Sequence, residues 1–173
     1  RFGHDMLLLE NGICAEAEAL GAEVIYPDDE SPYCREFLLK TLKDVEKLKI
    51  PDPFKTHPLR ELLRATKIVS KELGTKVFVM GRADQGPFAL AAVLRGYEHL
   101  LIDVALGEKL ELIHKLLSVC CQTVTRFALA QIEMGAHGTS IGEVGPQASS
   151  PKIFREISFP YIKKLISEVH KAG

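Results

Sequence analysis

The chain has 173 residues, 46% of them hydrophobic, which is enough for one domain with a real core. Its 22 basic and 23 acidic residues leave a net charge of −1, which argues against nucleic acid or an anionic membrane as a non-specific partner. No apolar run approaches the ~20 residues a membrane span needs, and no secretory signal pattern opens the chain.

Residues 5–9, DMLLL, predict a short apolar strand. Asn11 is placed to cap a helix whose Ile13, Ala17 and Leu20 share one side, and Gly21 ends that helix in a left-handed cap. Val24 to Tyr26 reads as extended, and Pro27-Asp28-Asp29 turns the chain. Glu36 to Lys49 predicts an amphipathic helix with Leu38, Leu39, Leu42, Val45 and Leu48 on one stripe, stopped by Pro51-Asp52-Pro53. A further helix spans about Pro58 to Leu73.

The stretch from Lys76 to Gly96 is the one around which the rest is arranged. Val77 to Met80 is too short for a stable helix and reads as a buried strand. Gly81, Arg82, Ala83, Asp84 and Gln85 read as a tight polar loop, and Gly86-Pro87 opens a helix with proline in its first turn. Tyr97 to Leu106 predicts another short helix. Glu108 to Met134 is the longest periodic segment, carrying Ile113, Leu116, Leu117, Cys120, Val124, Phe127 and Ile132. A strand at His137 to Ile141 follows, and Ser150-Pro151 starts a last helix that Pro160 should kink or split.

Repeated βα units with short apolar strands imply an α/β fold with a parallel sheet covered by helices. Three clear strands are too few for a closed (β/α)8 barrel, which needs ~250 residues. Arg1 is not an initiator methionine, and the closing VHKAG reads as a helix end leading toward another strand. Residues 1–173 are therefore expected to be a single partial-barrel segment, truncated at both ends. The cysteines Cys14, Cys34, Cys120 and Cys121 fit no CxxC or His-rich metal spacing. Adjacent Cys120 and Cys121 lie inside a predicted helix, so buried thiols are the better reading of them, and a reducing, cytoplasmic compartment fits.

Three stretches, EAEALGAEVIYPDDESP, RADQGPFALAAVLRG and GAHGTSIGEV…SSPKIFREISFPYIKKLI, together resemble the uroporphyrinogen decarboxylase superfamily. The Gly-Pro-Phe-x-Leu turn at 86–90 and the Ser-Pro-x-x-Phe…Pro-Tyr pattern at 150–161 are the most specific parts. The superfamily holds the tetrapyrrole decarboxylase of porphyrin synthesis and the zinc-dependent methyltransferases that take methyl groups from corrinoid proteins. The resemblance implies a (β/α)8 TIM barrel, of which this segment would supply roughly strands two to four.

Within that superfamily the decarboxylase's essential aspartate falls on Gly12 here, and the Glu16-Ala17-Glu18-Ala19-Leu20-Gly21 wording looks more like the methyltransferase branch. The resemblance therefore implies a methyltransferase moving a methyl group between a corrinoid carried by a partner protein and a small thiol or other acceptor. Zinc would activate the acceptor, with its ligands, a His-x-Cys motif first, expected beyond Gly173 and no metal ligand within the chain. Tetrapyrrole decarboxylation is the alternative, and a non-catalytic corrinoid- or tetrapyrrole-binding barrel is a third. The isolated chain is expected to be inactive.

Barrel chemistry is done at the carboxyl ends of the strands. Glu143, two residues beyond the strand ending at Ile141, is a candidate catalytic carboxylate and equally a helix-capping one. Asp84 is the second catalytic candidate. Arg82 could clamp a substrate carboxylate or phosphate, or simply neutralise Asp84. Gln85, Glu10 and Asn11 complete the substrate-binding candidates, with Asn11 as plausibly a helix cap. His57, His99, His114 and His170 read as linker or surface residues, His137 as part of the barrel's stability face, and Phe88, Phe127 and Phe154 as core.

Overall fold

The computed structural model describes residues 3–10, 12–145 and 149–172. In chain order it contains strand β1 (Met6–Leu8), helix α1 (Ala15–Ala19), strands β2 (Val24–Ile25) and β3 (Tyr33–Cys34), a 3₁₀ helix (Leu42–Lys47) and helix α2 (Leu59–Leu73). Strand β4 (Phe78–Gln85), helices α3 (Pro87–Arg95), α4 (Tyr97–Leu106) and α5 (Leu110–Glu133), and strand β5 (Gly138–Gly142) follow. A short helix α6 (Pro151–Ile153), one π turn (Phe154–Ser158) and helix α7 (Phe159–Lys171) close the chain.

Strands β1, β4 and β5 form a three-stranded sheet in the order β1–β4–β5, with both pairings parallel. Parallel neighbours need long crossovers, which here are the helical stretches between them. Strands β2 and β3 make a separate antiparallel hairpin. The expected α/β class with a parallel sheet is therefore what the chain builds.

Helix α5 is the spine of the helical layer. Its Ile113, Leu116, Leu117, Cys120, Val124 and Phe127 recur at helical spacing and are buried, against α3, α7, α2 and β4. Each such side chain contributes about 1.5–3 kcal/mol of hydrophobic stabilisation on leaving water. Phe88 and Phe127 are core as expected, whereas Phe154 is only half-buried and tilts against Phe159 at 6.0 Å.

Two expectations are corrected. The helix expected over Glu36 to Lys49 is only a 3₁₀ turn at Leu42–Lys47, opened by a capping box between Thr41 and Asp44. Leu39, Leu42, Val45 and Leu48 recur every three residues, the period of a 3₁₀ helix and not of an α-helix. The polar loop expected at 81–85 is instead strand: β4 runs on through Gln85. Gly81 and Ala83 alternate with Arg82 and Asp84, a period-two pattern hidden by the smallness of its inward members.

Pro160 does not split the last helix. It sits second in α7, and the irregularity falls just before it, where the Phe159 N–H reaches back five residues to the Phe154 carbonyl. Ser150 caps α6 as expected, its Oγ accepting from the Ile153 N–H at 3.2 Å.

Candidate active site

The carboxyl end of β4 carries a compact charged cluster. Strand pairing continues past β1, with the Leu9 N–H on the Met80 carbonyl at 2.9 Å, and this brings Glu10 alongside Arg82. The Arg82 Nη1 donates to Glu10 Oε2 at 2.8 Å, while its Nε donates to Asp84 Oδ1. Gln85 Nε2 donates to the other Asp84 oxygen at 3.1 Å. Glu10 also accepts from the Gly12 N–H at 3.1 Å, so the segment after β1 is tied to the same guanidinium. Exposure is graded along the cluster: the side chains of Glu10, Arg82 and Asp84 are 61%, 31% and 2% exposed. Asp84 is therefore a buried anchor, and Arg82 presents its remaining edge at the rim.

The backbone beneath this cluster is irregular. The β4–β5 register shifts between Arg82 and Gln85. Gln131, buried on α5, supports that shift: its Nε2 donates to the Arg82 carbonyl at 2.9 Å, and its Oε1 accepts from Thr139 Oγ1 at 3.3 Å. Gly81 makes room for it, because a Cβ there would stand 2.7 Å from Gln131 Oε1. Sequence reasoning did not single out Gln131. The signal was available, since Gln131 continues the buried 113, 117, 120, 124, 127 stripe of α5 and is the polar residue on it.

Glu143 lies at the same end of the neighbouring strand but is turned to a different task. Its Oε1 accepts from the Phe88 N–H at 3.0 Å and from Ser158 Oγ at 2.8 Å, and its Oε2 accepts from the Ala89 N–H at 3.4 Å. The carboxylate thus caps the first turn of α3, where unpaired N–H groups and the helix dipole favour an anion. A Cβ on Gly86 would overlap this carboxylate, which is why glycine precedes Pro87. Burial pushes the Glu143 carboxyl above its ordinary value of 4.5, opposed by the three hydrogen bonds. Glu143 and the Arg82 cluster therefore share the carboxyl end of the sheet but are held by different partners.

A cleft of about 650 Å³ adjoins this end of the sheet through Gln85 and Val144, its other walls coming largely from α3 and the start of α4, with Ala89, Val93 and Tyr97 among them, and from Ile13. Ile13, expected to share a side with Ala17 and Leu20, instead precedes α1 and is exposed on this cleft while those two are buried. Gln85 belongs both to the charged cluster and to the cleft wall, so a ligand in the cleft would meet the cluster through it. Asn11, the remaining binding candidate, lies outside the described residues.

Among the histidines, His99 also lines the cleft and stands edge-on to Phe37 at 5.7 Å. His137 has a structural role, its Nδ1 accepting from the Val79 N–H at 3.0 Å. His114 pairs with the Tyr161 hydroxyl at 2.9 Å. Among the described residues, no three His, Cys, Asp or Glu side chains gather where a metal ion could be held.

Comparison with known proteins places these features in context. A family model described as Uroporphyrinogen decarboxylase (URO-D) matches residues 1–173. A uroporphyrinogen decarboxylase of Myxococcus xanthus (strain DK1622) is 29% identical over 178 residues, covering 100% of this chain and 49% of that protein. One from Nitrosomonas europaea (strain ATCC 19718 / CIP 103999 / KCTC 2705 / NBRC 14298) is 29% identical over 170 residues, covering 96% and 47%. A solved methyltransferase from Methanosarcina mazei superposes with a TM-score of 0.84 at 23% identity, over 95% of this chain and 49% of that one, a likeness of fold. The chain spans about half the length of the curated relatives it matches.

Proposed function

The chain belongs to the uroporphyrinogen decarboxylase family, its sheet and helices forming part of a (β/α)8 barrel, and from that premise we propose that the full protein is a methyltransferase. It moves a methyl group between a corrinoid carried by a partner protein and a small thiol or other acceptor. This segment supplies barrel strands two to four, a wall of the cleft and part of its polar rim.

One observation carries this choice over decarboxylation of a tetrapyrrole polycarboxylate. Arg82 is already paired on two edges by Glu10 and Asp84, so the trio bears +1 − 2 = −1. A substrate dressed with carboxylates would approach a net negative cluster whose guanidinium is engaged. A methyl donor and a thiol bring no such charge. Gly12 adds to the argument, since it stands where the resemblance puts the decarboxylase's aspartate and has no carboxylate to offer.

Within this reading the roles divide by burial. Asp84 fixes Arg82 and Gln85, and these two orient the acceptor at the cleft edge. The described residues do not make a zinc site. In this reading any zinc that activates the thiol is held by residues other than those described. The names of the curated relatives favour the second reading, uroporphyrinogen decarboxylation.

The experiment is a paired assay on the full-length protein. Methylcobalamin demethylation with a small thiol, followed by its absorbance change, should proceed at least about 100-fold faster than without protein. Release of carboxylate from uroporphyrinogen should stay at background. Decarboxylation without methyl transfer would overturn the proposal, and so would silence in both assays.

A further inference from the structure

Cys14 and Cys34 are 20 residues apart in sequence, yet the structure brings their sulfurs to 3.9 Å. Cys14 immediately precedes α1 and is buried at 3% exposure, while Cys34 sits on β3 at the edge of the hairpin and is only half-buried. Neither thiol is in a disulfide. Cys14 Sγ donates to the Pro32 carbonyl at 3.4 Å, so the loop leading into β3 is already fastened to it. The other two cysteines offer no such arrangement: Cys120 and Cys121 are adjacent on α5 and buried.

We infer that Cys14 and Cys34 form a thiol-modification site that takes a small disulfide as its substrate and ends as an intramolecular Cys14–Cys34 disulfide. The geometry assigns the order of events. Cys34 is the thiol that solvent reaches, so its thiolate attacks one sulfur of a low-molecular-weight disulfide RSSR. An S–S bond forms to Cys34, and one RS⁻ leaves, taking up the proton Cys34 gave up. Cys14 then loses its proton and attacks Cys34 Sγ, expelling the second RS⁻, which takes that proton. The protein loses two electrons overall and RSSR becomes two RSH.

The proton affinities agree with this order. The first proton leaves Cys34, whose thiolate is stabilised by the Cys14 thiol, while Cys14 is pushed up by that same contact and by burial. The move required is small. A disulfide sets its sulfurs about 2.05 Å apart, so they must approach by roughly 1.9 Å. The hairpin carrying Cys34 pairs over two residues per strand and can yield that much.

The consequence reaches the segment between β1 and α1. Cys14 is two residues from Gly12, whose N–H bonds Glu10, the partner of Arg82. The thiol chemistry itself stands whether or not the methyl-transfer reading does.

The test uses the full-length protein, reduced and then exposed to oxidised glutathione. Trypsin leaves Cys14 and Cys34 in one peptide, Phe2–Arg35, which should become lighter by two hydrogen atoms. Cleavage after glutamate should instead yield Asn11–Glu16 cross-linked to Ser31–Glu36. The Cys14→Ser variant should trap glutathione on Cys34, and Cys34→Ser should leave Cys14 unmodified. The wild-type map decides the matter even if a variant fails to fold. A stable glutathione adduct on wild-type Cys34, an unreacted Cys34, or prior reaction at Cys120 or Cys121 would each overturn the inference.

Discussion

Asp84 and Glu143 are two poorly exposed carboxylates at the ends of adjacent parallel strands, and they are stabilised in opposite ways. Asp84 faces a guanidinium and a side-chain amide, so its charge is answered by groups that themselves reach the rim. Glu143 faces two backbone N–H groups and a buried hydroxyl, all belonging to the scaffold. The first arrangement transmits position to groups that a ligand can touch, and the second fastens α3 and the π turn to the end of β5. A carboxylate at the same end of a barrel strand therefore does not imply the same role. Its hydrogen-bond partners decide.

The largest expected effect breaks the Glu143 side of the comparison. Gly86→Ala should expel the carboxylate from its seat and destabilise the full-length protein by about 2–4 kcal/mol, as should Glu143→Ala, because both leave the first turn of α3 and Ser158 without their acceptor. In denaturant unfolding the two changes should be strongly non-additive, since Gly86→Ala is nearly harmless once Glu143 is gone. Full additivity would mean that the carboxylate does not occupy that seat.

A smaller effect concerns pH. Burial holds the folded-state pKa of Glu143 above its ordinary 4.5, so between those two values the folded protein binds more protons than the unfolded chain. The contribution of this group is fully present below the ordinary carboxylate range and is lost as pH rises through the raised folded value. The stability of wild type relative to Glu143→Gln should therefore grow on acidification across that window, by up to about 1.4 kcal/mol per unit of pKa difference. A difference that is flat with pH would place Glu143 in water.

Much of this arrangement is legible in the sequence, and what escapes has physical causes. The apolar strand near residues 5–9, the helix opened by Pro87, the long stripe of α5 and the Ser150 cap are written in periodicity and turn chemistry. The segment at 36–49 misleads because a three-residue repeat of leucine and valine satisfies an amphipathic helix by eye while packing as a 3₁₀ turn. The tail of β4 misleads because Gly81 and Ala83 bury a face without looking hydrophobic. Within the site, hydrogen bonds join Glu10, Arg82, Asp84 and Gln85, whereas Glu143, expected at the same mouth, is held by α3 and Ser158. That Glu143 could cap a helix is readable from its place after a strand, but which helix it caps depends on a contact 55 residues distant that nothing local announces.

The division of labour between the two carboxylates is tested most directly by steady-state methyl transfer in the full-length protein carrying Asp84→Asn or Glu143→Gln, with thermal unfolding measured on the same samples. Asp84→Asn should lower kcat/KM by about 100-fold with little change in melting temperature. Glu143→Gln should lower the melting temperature and leave kcat/KM of the folded protein near wild type. The reverse pattern, an active Asp84→Asn beside a stable but inactive Glu143→Gln, would contradict the account.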